Sequence, residues 1–147
     1  MSRKKDESKK EETINNRIFI FSRGIPGMEH LSKFSIEPMS EDTPLFFTLH
    51  SLDDNTVGII LVDPFPFFPG YGFDLSRADQ DELLVKDPAD LLVLTTVSVY
   101  KESFYTNLIA PVILNTSNRL AKQIILPNMD EKDLRVALKI PAVLSTG

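Results

Sequence analysis

The chain has 147 residues, 42% of them hydrophobic and 25% charged, with no cysteine and a formal net charge of -5. That length supports a single core burying about two thirds of the unfolded surface, and the balance is that of a globular chain, not a fibrous or disordered one. The missing cysteines exclude disulfides, thiolate metal sites and cysteine nucleophiles together.

Residues 1–12, MSRKKDESKKEE, hold five basic and four acidic side chains and no apolar one beyond Met1. Such a segment cannot offset its ordering entropy by burial, so it is expected to be a disordered charged tail, with 13–147 as one domain. An RNA-binding arm is the alternative, but the interleaved acids nearly cancel its charge. The remainder carries 11 basic and 17 acidic residues, a body charge of -6 that disfavours phosphate backbones. No apolar run approaches the ~20 residues of a membrane helix, and Arg17 to Phe21 is too short for the apolar core of a signal peptide. A cytoplasmic protein without a membrane partner is expected.

Arg17 to Phe21 reads as the first strand. Gly24-Ile25-Pro26-Gly27 turns the chain, with Pro26 and Gly27 suited to the central positions of a type II turn. A phosphate loop is the alternative, but no Lys-Ser/Thr pair follows. Ser32 to Ile36 and Leu45 to Leu52 are further strands, the second sending Phe46 and Phe47 to opposite faces. Leu52 to Thr56 is a hairpin turn, in which Asp53 and Asp54 are read as solvent-facing turn formers and not as an acid/base pair. Val57 to Val62 is β-branched and nearly unbroken, so it should be a central strand.

Asp63 to Leu75, DPFPFFPGYGFDL, packs three prolines, four phenylalanines and a tyrosine into thirteen residues. Pro64, Pro66 and Pro69 stiffen the backbone and hold the rings in place, which lowers the entropy cost of meeting a partner. Two readings stand: the rings plug the end of a barrel, or they form a partner surface. Ser76 and Asp79 form a variant capping box for a helix of about two turns, reaching about Val85. After Asp87-Pro88-Ala89-Asp90, Leu91 to Tyr100 is a long strand, with Val97 and Val99 expected inward and Ser98 outward.

Thr106 to Leu126 reads as two strands around the polar turn Asn115-Thr116-Ser117-Asn118. Pro111 in the outgoing arm cannot donate to a ladder, so that arm is at an edge or carries a bulge. Asp133 to Ile140 alternates with period two and is expected to be a strand, with a helix the alternative because Leu134 and Leu138 would share one of its faces. Eight or nine strands with one short helix predict a mainly β fold: a small, barrel-like, strongly curved antiparallel domain.

Five segments taken in order resemble one family. Gly24-Ile25-Pro26-Gly27-Met28-Glu29, Leu49-His50-Ser51-Leu52, Asp63-Pro64 with Tyr71, Phe73 and Leu75, Thr106-Asn107-Leu108 with Ala110-Pro111 and Asn115, and Gln123 before Ile-Ile-Leu are similar to the FliW flagellar assembly factors. Met28, His50 and Ala121 depart from that pattern, where an aromatic, Gln and Gly are usual. Gly24, Pro26, Gly27, Asn107, Pro111 and Asn115 are its structural motif. The resemblance implies a protein that binds the RNA-binding regulator CsrA, relieving repression of flagellin translation, and that binds flagellin in competition. Asp63, Phe65, Phe68, Tyr71, Phe73 and Asn107 are the residues expected to meet a partner. A monomer when free, without cofactor, is expected.

Chemistry is sparse. His30 and His50 are far apart, and His50 and Ser51, adjacent on a strand, point to opposite faces and cannot act together. No nucleophile-elbow, zinc-helix or calcium-loop spacing occurs, so no catalytic or metal residue is assigned and an enzyme is not expected. A single-stranded RNA-binding barrel or another protein-binding adaptor is the alternative, although Phe65 to Phe73 is flanked by Asp63 and Asp74 where RNA would need a positive groove.

Overall fold

The structure, a computed structural model, describes residues 17–139; the charged tail lies outside them. Strands β1 (Arg17–Phe21), β2 (Lys33–Pro38), β3 (Phe46–Ser51) and β4 (Gly58–Val62) come first. Helix α1 (Arg77–Glu82) follows, then β5 (Leu91–Tyr100), β6 (Ser103–Thr106), β7 (Val112–Asn115), β8 (Leu120–Gln123) and β9 (Val136–Ala137). In spatial order β4-β3-β2-β1-β8-β7-β5 forms a seven-strand ring that closes where Leu61 and Val62 of β4 pair with Thr96 and Thr95 of β5. β6 and β9 extend the sheet beyond β5. The pairing is antiparallel except between β1 and β8, where Ile20 and Phe21 run parallel to Leu120 and Ala121. This is the mainly β barrel that the strand count predicts.

Period-two alternation builds the interior. Phe19 and Phe21, Phe34 and Ile36, Phe47 and Leu49, and Val112 and Leu114 come in pairs two residues apart and share one cluster with Leu61 and Leu94. The Phe21 and Phe34 rings meet edge to face with centroids 5.2 Å apart, a favoured aromatic geometry. Phe46, one residue from Phe47, points out of the ring into a different cluster, as the alternation requires.

The turns follow their chemistry. Met28 N–H donates to the Ile25 carbonyl at 2.7 Å and Gly27 has φ +89°, the type II turn expected of Pro26-Gly27. Gly24 is held more tightly: its φ is +68°, and a Cβ there would lie 2.5 Å from the Glu29 Cα.

Four expectations need correction. Thr106 to Leu114 is not one strand: it is β6, then a bulge, then β7. Val97 faces Thr106 and Leu94 faces Val112, so only Thr95 and Thr96 of β5 stand against five residues, Asn107 to Pro111. Pro111 therefore sits in a bulge, and β7 is an inner strand whose four residues are all buried. Val99 is 57% exposed, not inward, because β5 has left the barrel there and pairs with β6 in a protruding hairpin.

Asp133 to Ile140 is not a full strand either. Glu131–Leu134 is a 3-10 turn, in which Asp133 N–H donates to the Asp130 carbonyl at 2.9 Å and Asp130 N–H to Asp133 Oδ2 at 3.2 Å, and only Val136–Ala137 pairs, with β6. Leu134 is exposed and Leu138 buried, while Ile140 lies outside the described residues. The helix spans Arg77–Glu82, ending short of Val85.

Candidate functional site

The Asp63-to-Leu75 segment folds on itself before it meets the barrel. Asp63 Oδ1 accepts from Phe65 N–H at 3.1 Å, and the Pro64 carbonyl accepts from Phe67 N–H and Phe68 N–H at 3.1 and 2.9 Å. Tyr71 N–H closes a further turn on the Phe68 carbonyl at 2.9 Å. The rings do not enter the barrel interior. Phe67 and Phe68 pack outside it against Phe46, Val62 and Leu138, with Phe67 edge-on to Phe46 at 6.2 Å. Tyr71, Phe73 and Leu75 cover a second outer cluster of Leu83, Ile113, Ile124 and Leu126.

Tyr71 anchors the second half, donating its hydroxyl to the Leu108 carbonyl at 2.8 Å. Burial raises its pKa above the ordinary phenol value, so the hydroxyl stays a donor. Its ring touches those of Phe65 and Phe73, with centroids 5.8 and 5.7 Å away. Phe65 remains 41% exposed.

Beside Phe65 and Phe73 opens a groove of about 750 Å³. Its apolar walls are Phe65, Phe73, Leu75, Val85, Leu91, Leu92, Val93 and Ile113, and Asp63 and Asp74 are the acids along it. Among the described residues neither acid is paired with a Lys or Arg. Burial beside the groove raises the Asp63 pKa above the ordinary carboxylate value, against the downward pull of the Phe65 N–H bond. The site is thus apolar at its base and negative along its margin.

The far wall of the groove is held by the hairpin β7–β8. Asn115 Nδ2 and Asn118 Nδ2 both donate to the Leu83 carbonyl at 2.9 Å, catching the end of α1, while Asn115 Oδ1 accepts from Ser117 N–H at 3.0 Å. Lys122 reaches Asp79 at 2.6 Å and also contacts Glu82, which Arg23 bonds at 2.9 Å. Desolvation opposes the charge on Asp79, yet the Lys122 and Ser76 hydrogen bonds prevail and lower its pKa; those from Asp79 and Glu82 likewise outweigh desolvation and raise that of Lys122.

The expected partner residues do not form one patch. Asp63, Phe65 and Phe73 line the groove, and Tyr71 lies beneath it. Phe68 lines a separate depression with Pro66, Phe67, Ala137 and Lys139. Asn107 is in the bulge, its Oδ1 accepting from Ile109 N–H at 2.9 Å, and Gln123 Nε2 braces the same bulge at the Ala110 carbonyl, 2.9 Å away. Leu91, Val93, Val85 and Asp74 were not legible as site residues. For Leu91 and Val93 the signal was a strand start apolar on both faces, which demands a cover outside the barrel, and for Asp74 its place flanking the rings.

Asp53 and Asp54 are turn formers, and Asp53 does more: its Oδ2 accepts from Ser32 N–H and Lys33 N–H at 2.9 and 3.0 Å, tying the β3–β4 turn to the start of β2. Those two bonds lower its pKa. Among the described residues no group of three or more His, Asp or Glu side chains is placed to hold a metal, and no helix is long and apolar enough to cross a membrane.

A family model described as FliW protein matches residues 4–138. The flagellar assembly factor FliW of Moorella thermoacetica is 44% identical over 109 residues, covering 72% of this chain and 68% of that protein. FliW of Clostridium beijerinckii is 40% identical over 117 residues, 78% of this chain and 82% of that one, and FliW of Bacillus subtilis is 38% identical over 112, or 75% and 78%. A crystal structure of the flagellar assembly factor FliW superposes with a TM-score of 0.71 at 28% identity, covering 84% of this chain and 86% of the other.

Proposed function

The chain belongs to the FliW family of flagellar assembly factors, and from that premise we propose that it binds a CsrA-like translational regulator, relieving repression of flagellin synthesis, and that flagellin competes for it. The observation that carries this reading is the family match along nearly the whole described chain. The acidic body supports it, since a net charge of -6 outside the tail suits a basic RNA-binding partner and speeds encounter more than it adds affinity. Regulation then needs no chemistry. Free protein withdraws the regulator from the flagellin messenger, and accumulating flagellin occupies the protein and restores repression.

The exposed Phe65 with Asp63 and Phe73 is the surface we assign to partner contact, with Tyr71 beneath it and Asn107 in the bulge that Tyr71 bonds; Phe68 would meet a partner only at its separate depression. A mobility-shift titration tests the function. The protein added to a CsrA complex with flagellin leader RNA should release the RNA, and purified flagellin should reverse the release. A shift of the RNA by the protein alone, or a complex left intact at saturating protein, overturns the reading in favour of an RNA-binding barrel or an unrelated adaptor.

A further inference from the structure

The groove contains an unfinished piece of sheet. In an antiparallel strand, successive residues send their backbone N–H and C=O to opposite edges. Asn107 N–H donates to the Thr96 carbonyl at 3.3 Å and Thr116 N–H to the Asp90 carbonyl at 2.9 Å, so the even-numbered residues of β5 address β6 and β7. The odd-numbered Leu91, Val93 and Thr95 address the other edge, where β4 lies. Thr95 meets Val62 there. Continuing that register, the next rung would set Pro64 against Val93.

Pro64 cannot make that rung. It has no N–H to give, and its carbonyl is turned to Phe67 and Phe68. The β4–β5 ladder therefore stops at Val62, and the Val93 N–H, the Val93 carbonyl and the Leu91 carbonyl face the groove. Leu91 N–H is taken by the Pro88 carbonyl. Among the described residues no other hydrogen bond reaches the three remaining groups.

We propose that this edge takes a short extended segment of a protein partner by strand addition at Leu91 to Val93, a segment in which apolar side chains flank a Lys or Arg. Main-chain bonds to Val93 would hold its backbone, and the walls formed by Phe65, Phe73 and Leu75 would receive its apolar side chains. Asp63 and Asp74, which pair with no Lys or Arg among the described residues, select the basic side chain and reject an acidic segment or a phosphate chain. The inference deepens the protein-binding reading above by giving the chemistry of what is bound. Its test uses neither CsrA nor flagellin, so the two can fail separately.

The probe is a phage-displayed library of random twelve-residue peptides, selected on the full-length chain. Enriched sequences should place a Lys or Arg beside large apolar residues, and a synthetic copy should slow hydrogen exchange at the Val93 amide. Methylating the peptide nitrogen that faces Val93 should abolish binding, and Asp63→Asn should weaken it roughly ten-fold, the effect of losing one charge-assisted hydrogen bond. No enrichment, an acidic consensus, or binding that leaves the Val93 amide unprotected overturns the proposal. So does protection that grows with protein concentration in the absence of peptide, which would mark the edge as a contact between two copies of this chain.

Discussion

The two sides of the barrel solve different problems. On the β2–β3 side the outer face is largely polar: Phe34 and Ile36 point inward while Lys33 and Glu37 face water, and Leu49 is buried beside exposed His50, with Phe46 at the start of β3 the exception. On the β5–β7–β8 side both faces are apolar, with Leu92, Leu94, Val112 and Leu114 inside and Leu91, Val93 and Ile113 outside. A wall of the first kind is complete once the ring closes. A wall of the second kind exposes apolar surface until something covers it, and here the proline-rich loop and α1 do so, leaving the groove where the cover is incomplete.

The largest expected effect falls on the finished side. Phe34→Ala empties a fully buried site against Phe21, so unfolding by denaturant should show a loss of about 3 to 5 kcal/mol. Tyr71→Phe tests the covered side. It keeps the ring but leaves the Leu108 carbonyl without its donor, so a loss of about 1 to 3 kcal/mol is expected, with hydrogen exchange faster in the 107–111 bulge. A loss matching that of Phe34→Ala would mean that the loop is as integral to the fold as the interior and that the two sides do not differ.

The smallest effect concerns the charges that hold α1 in place. Asp79 has a folded pKa below its ordinary value, so its contribution is fully present above the unfolded carboxylate range near pH 4 and is lost as pH falls through the folded pKa. Asp79→Asn should cost about 1 kcal/mol or less at neutral pH, given that the pair is partly exposed. Thermal melts of wild type and variant should converge in acid. A difference that persists at low pH would assign the Asp79 contribution to the Ser76 cap and not to its charge, and no difference at neutral pH would leave the helix's position to the Asn115 and Asn118 bonds.

Much of this was readable along the chain. The positions of β1 to β5, the Pro26-Gly27 turn, the Ser76 cap and the opposite faces of Phe46 and Phe47 depend on neighbours within a few positions, and local sterics and the two-residue period decide them. The family motif was equally legible. Its residues prove to hold backbone in place: Gly24 lies against Glu29, Asn107 and Gln123 brace the bulge, and Asn115 catches the end of α1. Val99 and the residues after Asp133 were misread because alternation reports that a strand has two faces without saying whether either is covered.

What the amino-acid order determined by itself is therefore strands β1 to β5, the turns at Pro26-Gly27 and Asp53-Asp54, and the family to which the chain belongs. Tertiary structure alone decided that β4 closes on β5 at Thr95, that five residues bulge against two, and that the aromatic loop lies on the outer wall. Each depends on contacts between segments distant along the chain, 33 positions for Val62 and Thr95 and 18 for Leu94 and Val112, where register is set by the closure of the ring and not by local preference. The unfinished edge at Val93 belongs to the same class. Pro64 forbids a rung wherever it stands, but only the closed barrel places it opposite Val93.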